Sequence, residues 1–207
     1  MIWFQAKKWL QKYGRDLSGK HIAIFGSTGG IGNALCRHIL QLNGALIMVD
    51  RNGKKASCLM QQLQKEFPLA KICRITADLE DINAVDAACA KLKELSVDVL
   101  IHNAGAYSVP RKMCSTGYDN IFQINFLSPY YITRSLSDHL SARKGRVVVV
   151  GSIAHNYSVT DPCDIDFSEK SRASRVYGNA KRYWMYSAYS LAAEYPDISF
   201  SVVHPGK

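Results

Sequence analysis

The amino-acid sequence predicts an α/β fold in which a parallel sheet is covered by helices on both faces. Apolar runs of strand length alternate along the chain with segments of helical periodicity, and the connections between them are short. The runs are continuously apolar, as is typical of strands buried on both faces of a parallel sheet. Polar or turn-forming residues follow the runs directly. We therefore expect them to meet at the carboxyl edge of the sheet, where such sheets bind ligands.

The predicted elements form one domain that follows an N-terminal helix. Strands are expected at 21–25, 45–49, 71–77, 97–101, 146–150 and 198–203. Helices are expected at 2–13, 33–42, 54–67, 81–95 with Asp81 as N-cap, 117–141, and around 177–195. The first of these helices is amphipathic, so the chain is divided into an N-terminal segment (1–17) and a domain (18–207). The long polar connection at 155–172 is expected to border a functional site.

The composition restricts the class of protein. With 207 residues and 47% hydrophobic side chains, the chain can bury the core of one domain. The formal net charge is +9, but the basic residues are scattered, which indicates a solvated surface and predicts no nucleic-acid partner. The six cysteines and six histidines lack metal-binding spacing, so no metal site is predicted. Free thiols favour a cytoplasmic location.

A glycine-rich turn connects the first predicted strand to the helix after it. Its residues are Gly26, Ser27, Thr28, Gly29, Gly30, Ile31 and Gly32. Glycines let the backbone turn tightly and approach a pyrophosphate, and the free N–H groups at the start of the helix bind its charge. A purely structural turn is the alternative, but the position between a buried strand and a helix favours phosphate binding.

Asp50 ends the second predicted strand, 18 residues beyond Gly32. An acid about 20 residues beyond such glycines is placed to hold a ribose 2′-hydroxyl, and its charge repels the 2′-phosphate of NADP. Arg51 follows directly and would do the opposite. The sequence therefore favours NAD as the cofactor, with NADP as the second choice.

Tyr177 and Lys181 lie four residues apart on a predicted helix and therefore share a face, while Ser152 ends the fifth predicted strand. Lowering a tyrosine pKa from about 10 to about 7 takes roughly 4 kcal/mol. An ammonium about 4 Å away supplies about that much at an effective dielectric near 20. A chain this rich in tyrosine and lysine is expected to contain such a pair by chance. What favours a functional role for the pair is that polar residues also occur at the carboxyl ends of the other predicted strands.

Together these residues resemble the short-chain dehydrogenase/reductase family, over about residues 18–207. The motifs that carry the likeness are Gly26-x-x-x-Gly30-x-Gly32, Asp78-Leu79, Asn103-Ala104-Gly105, Asn125, Ser152, Tyr177-x-x-x-Lys181 and Pro205-Gly206. The resemblance implies a Rossmann-type, doubly wound sheet that forms a dinucleotide-binding and catalytic domain. The 25-residue interval from Ser152 to Tyr177 is similar to the retinol-dehydrogenase-like branch.

The resemblance also implies a catalytic tetrad. Tyr177 would be the general acid for ketone reduction or the base for alcohol oxidation, and Lys181 would lower its pKa and bind the nicotinamide ribose. Ser152 would polarise the carbonyl, and Asn125 would hold a proton-relaying water. The cofactor would be bound by Gly26, Ser27, Thr28, Gly30, Ile31, Gly32, Asp50, Arg51, Asp78, Leu79, Asn103, Ala104, Gly105, Tyr177, Lys181, Pro205 and Gly206.

Three features depart from the family pattern. Phe25 stands where the family often has threonine, and His102 where it often has asparagine. The sequence ends at Lys207, where the family continues with helices that close over the substrate and a strand that pairs subunits. We therefore expect the substrate-closing segment to be lacking here, and the full-length protein to form a homo-oligomer.

The sequence thus predicts an NAD(P)-dependent oxidoreductase that interconverts a small-molecule alcohol and a ketone or aldehyde. The alternative is a non-catalytic dinucleotide-binding sensor or interaction protein on the same fold. A separate hypothesis concerns the N-terminal helix. Its Trp3, Phe4 and Trp9, interleaved with lysines, are suited either to pack on the domain or to make peripheral contact with an anionic membrane.

Overall fold

The computed structural model describes residues 2–107, 109–161, 163–166 and 172–206, and for residues 2–7 it describes the backbone alone. Its strands are β1 (His21–Phe25), β2 (Ala45–Asp50), β3 (Ile72–Thr76), β4 (Val99–His102), β5 (Arg146–Val150) and β6 (Ser199–Val203). Within the described residues they form one parallel sheet in the order β3-β2-β1-β4-β5-β6. The crossovers change direction between β1 and β4, and a crevice forms there at the carboxyl ends of the strands. The predicted doubly wound sheet is confirmed.

The helices connect the strands and cover the sheet. They are α1 (Ile2–Tyr13), α2 (Gly30–Gln41), α3 (Gly53–Glu66), α4 (Ile82–Glu94), α5 (Asn120–Phe122), α6 (Ser128–Ser135), α7 (Ser137–Ala142) and α8 (Ala173–Glu194). A π-helical segment (Gln123–Leu127) joins α5 to α6, and a 3₁₀ helix (Ile153–Tyr157) follows β5. Among the helices that the structure describes, none has the length and apolarity to cross a membrane.

Successive residues of β1 pack on opposite faces of the sheet. Ile22 and Ile24 belong to an apolar cluster with side chains of α2 and α3. Ala23 and Phe25 belong to a second cluster with side chains of α4, α6 and α8. Because side chains alternate along a strand, a continuously apolar run serves both clusters at once.

The helix predicted over 117–141 is interrupted. Pro129 lies in the first turn of α6, where its missing N–H is tolerated and a new helix begins. The hydroxyls of Thr133 and Ser137 donate to main-chain oxygens four residues earlier, both at 2.9 Å, and the chain bends at Leu136. The apolar periodicity predicted the helical character of this region but not its breaks.

Other boundaries differ by a few residues. α2 begins at Gly30, so the last glycines of the turn form its first turn. The 3₁₀ helix extends into the connection predicted at 155–172, of which residues 162 and 167–171 lie outside the described residues. Asp81 caps α4 as predicted, since its carboxylate accepts hydrogen bonds from two main-chain N–H groups of the first turn.

Candidate active site

The glycine-rich turn packs closely against the loop after β4. The side-chain amide of Asn103 donates to the carbonyl oxygen of Gly26 at 2.8 Å. Gly26 has a φ of +83°, and a Cβ there would lie 2.8 Å from the Cα of Ala104. A Cβ at Gly32 would overlap the carbonyl oxygen of Gly26. Both positions therefore require glycine.

The N-terminus of α2 is open to ligands. Gly29 is the N-cap residue and provides no side-chain hydrogen bond to the first turn. A Cβ added at Gly30 would meet nothing within 4 Å, and Ile31 is exposed. Because the N–H groups of the first helical turn lack partners inside the helix, this end of α2 is suited to the negative charge of a pyrophosphate.

The buried carboxylate of Asp50 ties β2 to the glycine-rich turn. Its Oδ2 accepts a hydrogen bond from the Ser27 hydroxyl. Its Oδ1 accepts from the Thr28 main-chain N–H at 3.1 Å and from the Thr28 hydroxyl at 3.0 Å. The sequence placed these three residues at one site but did not reveal their mutual bonds, because contacts across 22 and 23 residues leave no local pattern. The role of Asp50 at a ribose stays a prediction.

A cleft of about 550 Å³ follows the carboxyl edge of the sheet. The predicted cofactor-binding residues that line it are Gly26, Thr28, Asp50, Arg51, Asp78, Leu79, Asn103, Ala104 and Gly105. They come from the ends of β1 to β4, as expected for a ligand site in such a sheet. Pro205 and Gly206 follow β6 and are exposed, and Gly206 has a φ of +91°.

Charges of both signs surround the outer end of the cleft. Arg51 also lines a neighbouring basic groove, whose residues are Arg51, Asn52, Gly53, Lys54, Ser57 and Arg74. The carboxylate of Glu80 lies 3.6 Å from the guanidinium of Arg51 and forms an ion pair with Lys112. The sequence did not single out Glu80 or Lys112.

Lys181 lies buried beside Tyr177 on α8. Its ammonium donates to the main-chain oxygen of Val150 at 2.9 Å. Burial lowers the pKa of Lys181 from 10.5 to about 8. Its Nζ lies 5.5 Å from the centroid of the Tyr177 ring, and the ring of Tyr107 packs edge-on against Tyr177 with centroids 5.1 Å apart. The predicted pair is therefore formed at the end of β5.

Ser152 follows β5 and caps the 3₁₀ helix, where its hydroxyl oxygen accepts from the N–H of Ala154 at 3.2 Å. Helix α8 lies directly on this 3₁₀ helix. A Cβ at Gly178 would come within 2.6 Å of the carbonyl oxygen of Ala154. Gly178 therefore determines how closely Tyr177 and Lys181 approach Ser152. Sequence reasoning missed this residue, since a glycine within a helix does not reveal the surface it faces.

Asn125 is buried in the π-helical segment, and its side chain binds the main chain. Its amide nitrogen donates to the carbonyl oxygens of Ala106 and Ile121, both at 2.8 Å, and its amide oxygen accepts from the N–H of Ala106 at 3.3 Å. The main-chain oxygen of Asn125 accepts from the Trp184 indole at 3.1 Å. A Cβ at Gly105 would lie 3.0 Å from Asn125 Oδ1 and 3.9 Å from Lys181 Nζ.

The two departures within the motifs, Phe25 and His102, are in contact. The His102 ring stacks between Phe25 and Trp184, with centroids 5.2 and 5.5 Å away. Its Nε2 donates to Thr133 Oγ1 at 2.9 Å, because that hydroxyl already donates to a main-chain oxygen. Burial and the charge of Lys181 lower the pKa of His102 to about 3. His102 is therefore a neutral part of the core beneath the site.

Within the described residues, no group of three or more His, Cys, Asp or Glu is placed to hold a metal ion. The cysteines are free thiols, and burial raises the pKa of Cys36 to about 12 and that of Cys89 to about 11. Such thiols are poor nucleophiles and poor ligands.

Comparison with known proteins identifies similar sequences and folds. The family model described as short chain dehydrogenase matches residues 20–162. The WW domain-containing oxidoreductase of Gallus gallus is 31% identical over 180 residues, which cover 86% of this chain and 42% of that protein. Retinol dehydrogenase 14 of Homo sapiens is 27% identical over 208 residues, which cover 92% of this chain and 62% of that protein. The chain thus spans less than two thirds of the length of these curated relatives.

The fold is shared with solved enzymes. An alcohol dehydrogenase from the archaeon Thermococcus sibiricus, complexed with 5-hydroxy-NADP, superposes with a TM-score of 0.73 at 20% identity. The match covers 90% of this chain and 76% of that one. At this level of identity the likeness concerns the fold.

Proposed function

The chain belongs to the short-chain dehydrogenase family, and we propose that it is an oxidoreductase that interconverts an alcohol and a ketone or aldehyde with NAD or NADP. Membership confirms the family predicted from the motifs. The observation that carries the proposal is that Lys181 and Asn125 both approach Gly105 at the carboxyl edge of the sheet, with Tyr177 next to Lys181. The likeness to retinol dehydrogenase 14 supports the retinol-dehydrogenase-like branch.

The residues of the site fit proton transfer to a carbonyl oxygen. When bound, the nicotinamide cofactor supplies the hydride that reaches the carbonyl carbon. We propose that Tyr177 gives its hydroxyl proton to the carbonyl oxygen, and that the nearby Lys181 ammonium stabilises the phenolate left behind. Ser152 donates a hydrogen bond to the same oxygen. In alcohol oxidation Tyr177 takes the proton back.

The cleft fits a dinucleotide in two respects. The uncapped N-terminus of α2, with open space at Gly30, suits the pyrophosphate. The acids Asp50 and Asp78 lie on the same cleft, at the ends of β2 and β3, where they would bind ribose and base. NAD remains our first choice because Asp50 ends β2, and NADP the second because Arg51 opens onto the basic groove.

The test is Tyr177→Phe, which removes one hydroxyl and keeps the ring that packs on Tyr107. We expect turnover with a screen of secondary alcohols to fall about 10²- to 10⁴-fold. We expect the dissociation constant of the cofactor, from calorimetry, to change little. Tyr189→Phe, at a position on the same helix that is 81% exposed, is the matched control and should retain full turnover.

The same measurements of turnover and cofactor binding distinguish the proposed enzyme from the non-catalytic sensor. A non-catalytic dinucleotide-binding protein would bind the cofactor in both the wild type and Tyr177→Phe and would show no turnover in either. Turnover that survives in Tyr177→Phe would contradict the role proposed for this residue.

A peripheral membrane contact through α1 is our second proposal. Trp9 is 60% exposed and Tyr13 55% exposed, and their rings lie 5.5 Å apart on one side of the helix. The ammonium of Lys12 lies over the Tyr13 ring. The side chains of Trp3 and Phe4 lie outside those that the structure describes. Exposed aromatics beside lysines suit the interface of an anionic membrane.

Co-sedimentation with vesicles of phosphatidylserine and phosphatidylcholine tests this contact. The wild type should bind, Trp9→Ala with Tyr13→Ala should bind several-fold more weakly, and vesicles of phosphatidylcholine alone should bind least. Unchanged binding after deletion of residues 1–15 would contradict the proposal. The cytoplasmic location and the homo-oligomer of the full-length protein stay predictions, the latter to be measured by light scattering.

A further inference from the structure

Glu80 lies in the loop between β3 and α4, directly after Asp78 and Leu79 of the cleft. Its carboxylate is only 12% exposed, with one oxygen 3.6 Å from the Arg51 guanidinium and the other paired with Lys112. The position of its main chain is fixed, because the Gln123 side chain donates to the carbonyl oxygens of Leu79 at 3.1 Å and Glu80 at 2.8 Å. This acid is therefore held in place beside Arg51.

Arg51 borders both the cleft and the shallow basic groove beside it. It lines the cleft together with Asp50 and also the basic groove together with Lys54 and Arg74. Three cations around one groove form a good site for a phosphate dianion. A phosphate on the 2′-oxygen of a ribose held near Asp50 would enter this groove.

We propose that Glu80 discriminates between NAD and NADP by pairing with Arg51 and opposing a 2′-phosphate in the basic groove. The inference rests on the proposed function, since it concerns the dinucleotide of that same site. A 2′-phosphate has to compete with Glu80 for the guanidinium of Arg51. A 2′-hydroxyl carries no charge and meets no such competition. Glu80 is thus a specificity-determining residue that acts through Arg51.

The alternative determinant is Asp50 alone. Its two oxygens already accept three hydrogen bonds from Ser27 and Thr28, and it is buried. These hydrogen bonds partly neutralise the carboxylate, so its charge repels a phosphate in the cleft less strongly. The carboxylate of Glu80 contacts Arg51 directly, and its removal frees that guanidinium without disturbing the glycine-rich turn.

The experiment is a calorimetric titration of the full chain with NADH and with NADPH, for the wild type, Glu80→Gln and Glu94→Gln. Glu94 is exposed at the far end of α4, about 18 Å along the helix. Its replacement changes the net charge by the same amount. In Glu80→Gln we expect the ratio of the NADPH to the NADH dissociation constant to fall about tenfold. Glu94→Gln should leave this ratio as in the wild type.

A double-mutant cycle with Arg51→Ala tests whether Glu80 changes the ratio of dissociation constants through Arg51. In the Arg51→Ala background, Glu80→Gln should no longer change the ratio, because the guanidinium that Glu80 restrains is absent. An unchanged ratio in Glu80→Gln, an equal change in Glu94→Gln, or an effect that survives Arg51→Ala would each overturn the inference while leaving dinucleotide binding established. A wild type that binds neither dinucleotide would contradict the proposed function itself, and the inference with it.

Discussion

The two halves of the candidate site are built in opposite ways. At the glycine-rich turn, main chain packs on main chain: Gly26 lies against Ala104, and Gly32 against Gly26. At the proposed catalytic half, buried side chains reach distant main-chain oxygens, from Lys181 across 31 residues of sequence and from Trp184 across 59. The first half depends on glycines, which have no side chain, and the second half depends on large buried side chains. Enlarging a residue should therefore damage the first, and truncating one the second.

The largest effect is expected at Lys181. Lys181→Met keeps most of the side-chain volume but removes the ammonium beside Tyr177. We expect turnover to fall by about 10³-fold, while the fold is retained. Steady-state kinetics measure the turnover, and circular dichroism checks that the fold is retained. Turnover within threefold of the wild type would show that the catalytic half does not depend on this side chain.

Lys181 should also shape the pH dependence of stability. Its pKa is lowered from 10.5 to about 8 on folding, so between these pH values the unfolded chain holds a proton that the native chain has lost. Lys181 should therefore add up to about 3 kcal/mol to the free energy of unfolding across that window. The raised pKa values of Cys36 and Cys89 lower the stability of the wild type and of Lys181→Met alike over the same range. Urea titrations at pH 8 and pH 10 should therefore show the stability of the wild type, measured relative to Lys181→Met, rising by about 2 kcal/mol.

Gly32→Ala should damage the glycine-rich half next most strongly. Its Cβ would overlap a main-chain oxygen that cannot move without shifting the whole turn. We expect dinucleotide affinity to fall by about tenfold or more, and stability by about 1–3 kcal/mol. Gly30→Ala is the matched control for stability. It has open space and is the first residue of α2, so its stability in thermal unfolding should stay within about 0.5 kcal/mol of the wild type. Equal losses of stability in both variants would contradict this distinction between the two glycines.

Trp184→Phe is a milder truncation of a side chain in the proposed catalytic half. The variant keeps a ring in the core but loses the indole N–H that donates to the main-chain oxygen of Asn125. We expect about 2 kcal/mol lower stability and several-fold lower kcat, with the dissociation constant of the cofactor unchanged. A loss of cofactor affinity as large as the loss of kcat would show that the two halves are not separable.

The smallest effect is expected at His102. Its pKa falls from 6.5 to about 3 on folding, so its contribution to stability is complete above pH 6.5 and is lost as the pH falls from there toward 3. At pH 5.5 this loss is about 1.4 kcal/mol. The difference in stability between pH 7 and pH 5.5 should be smaller by that amount in His102→Asn. His38→Asn, on the surface helix α2, should behave as the wild type does.

The same division explains what the sequence could predict. Strand β1, the glycine-rich turn and α2 are contiguous, and their apolar run and glycine spacing are local patterns with a physical cause. The interval from Tyr177 to Lys181 is likewise local. These parts of the fold and of the site could therefore be predicted from the amino-acid sequence alone.

The rest depends on contacts between residues far apart in the chain. No spacing rule indicates that His102 will donate to Thr133, or that Trp184 will meet the main chain of Asn125. In the sequence Glu80 is likewise indistinguishable from any surface acid, because its neighbours Arg51 and Lys112 are distant along the chain. Periodicity could not reveal the π-helical segment either, since the apolar pattern of this stretch is that of an ordinary helix; in the structure the segment contains Asn125, whose side chain bonds to the distant Ala106.

The glycine at 178 has a mechanical consequence. Helix α8 contacts the Ala154 carbonyl oxygen and the Ser158 hydroxyl at Gly178, which is its one residue without a side chain. A methyl group there would clash with both atoms, so we expect it to push the part of α8 that carries Tyr177 and Lys181 away from the 3₁₀ helix. The spacing between the proposed proton donor Tyr177 and Ser152 would thus depend on a single residue that takes no part in the proposed chemistry.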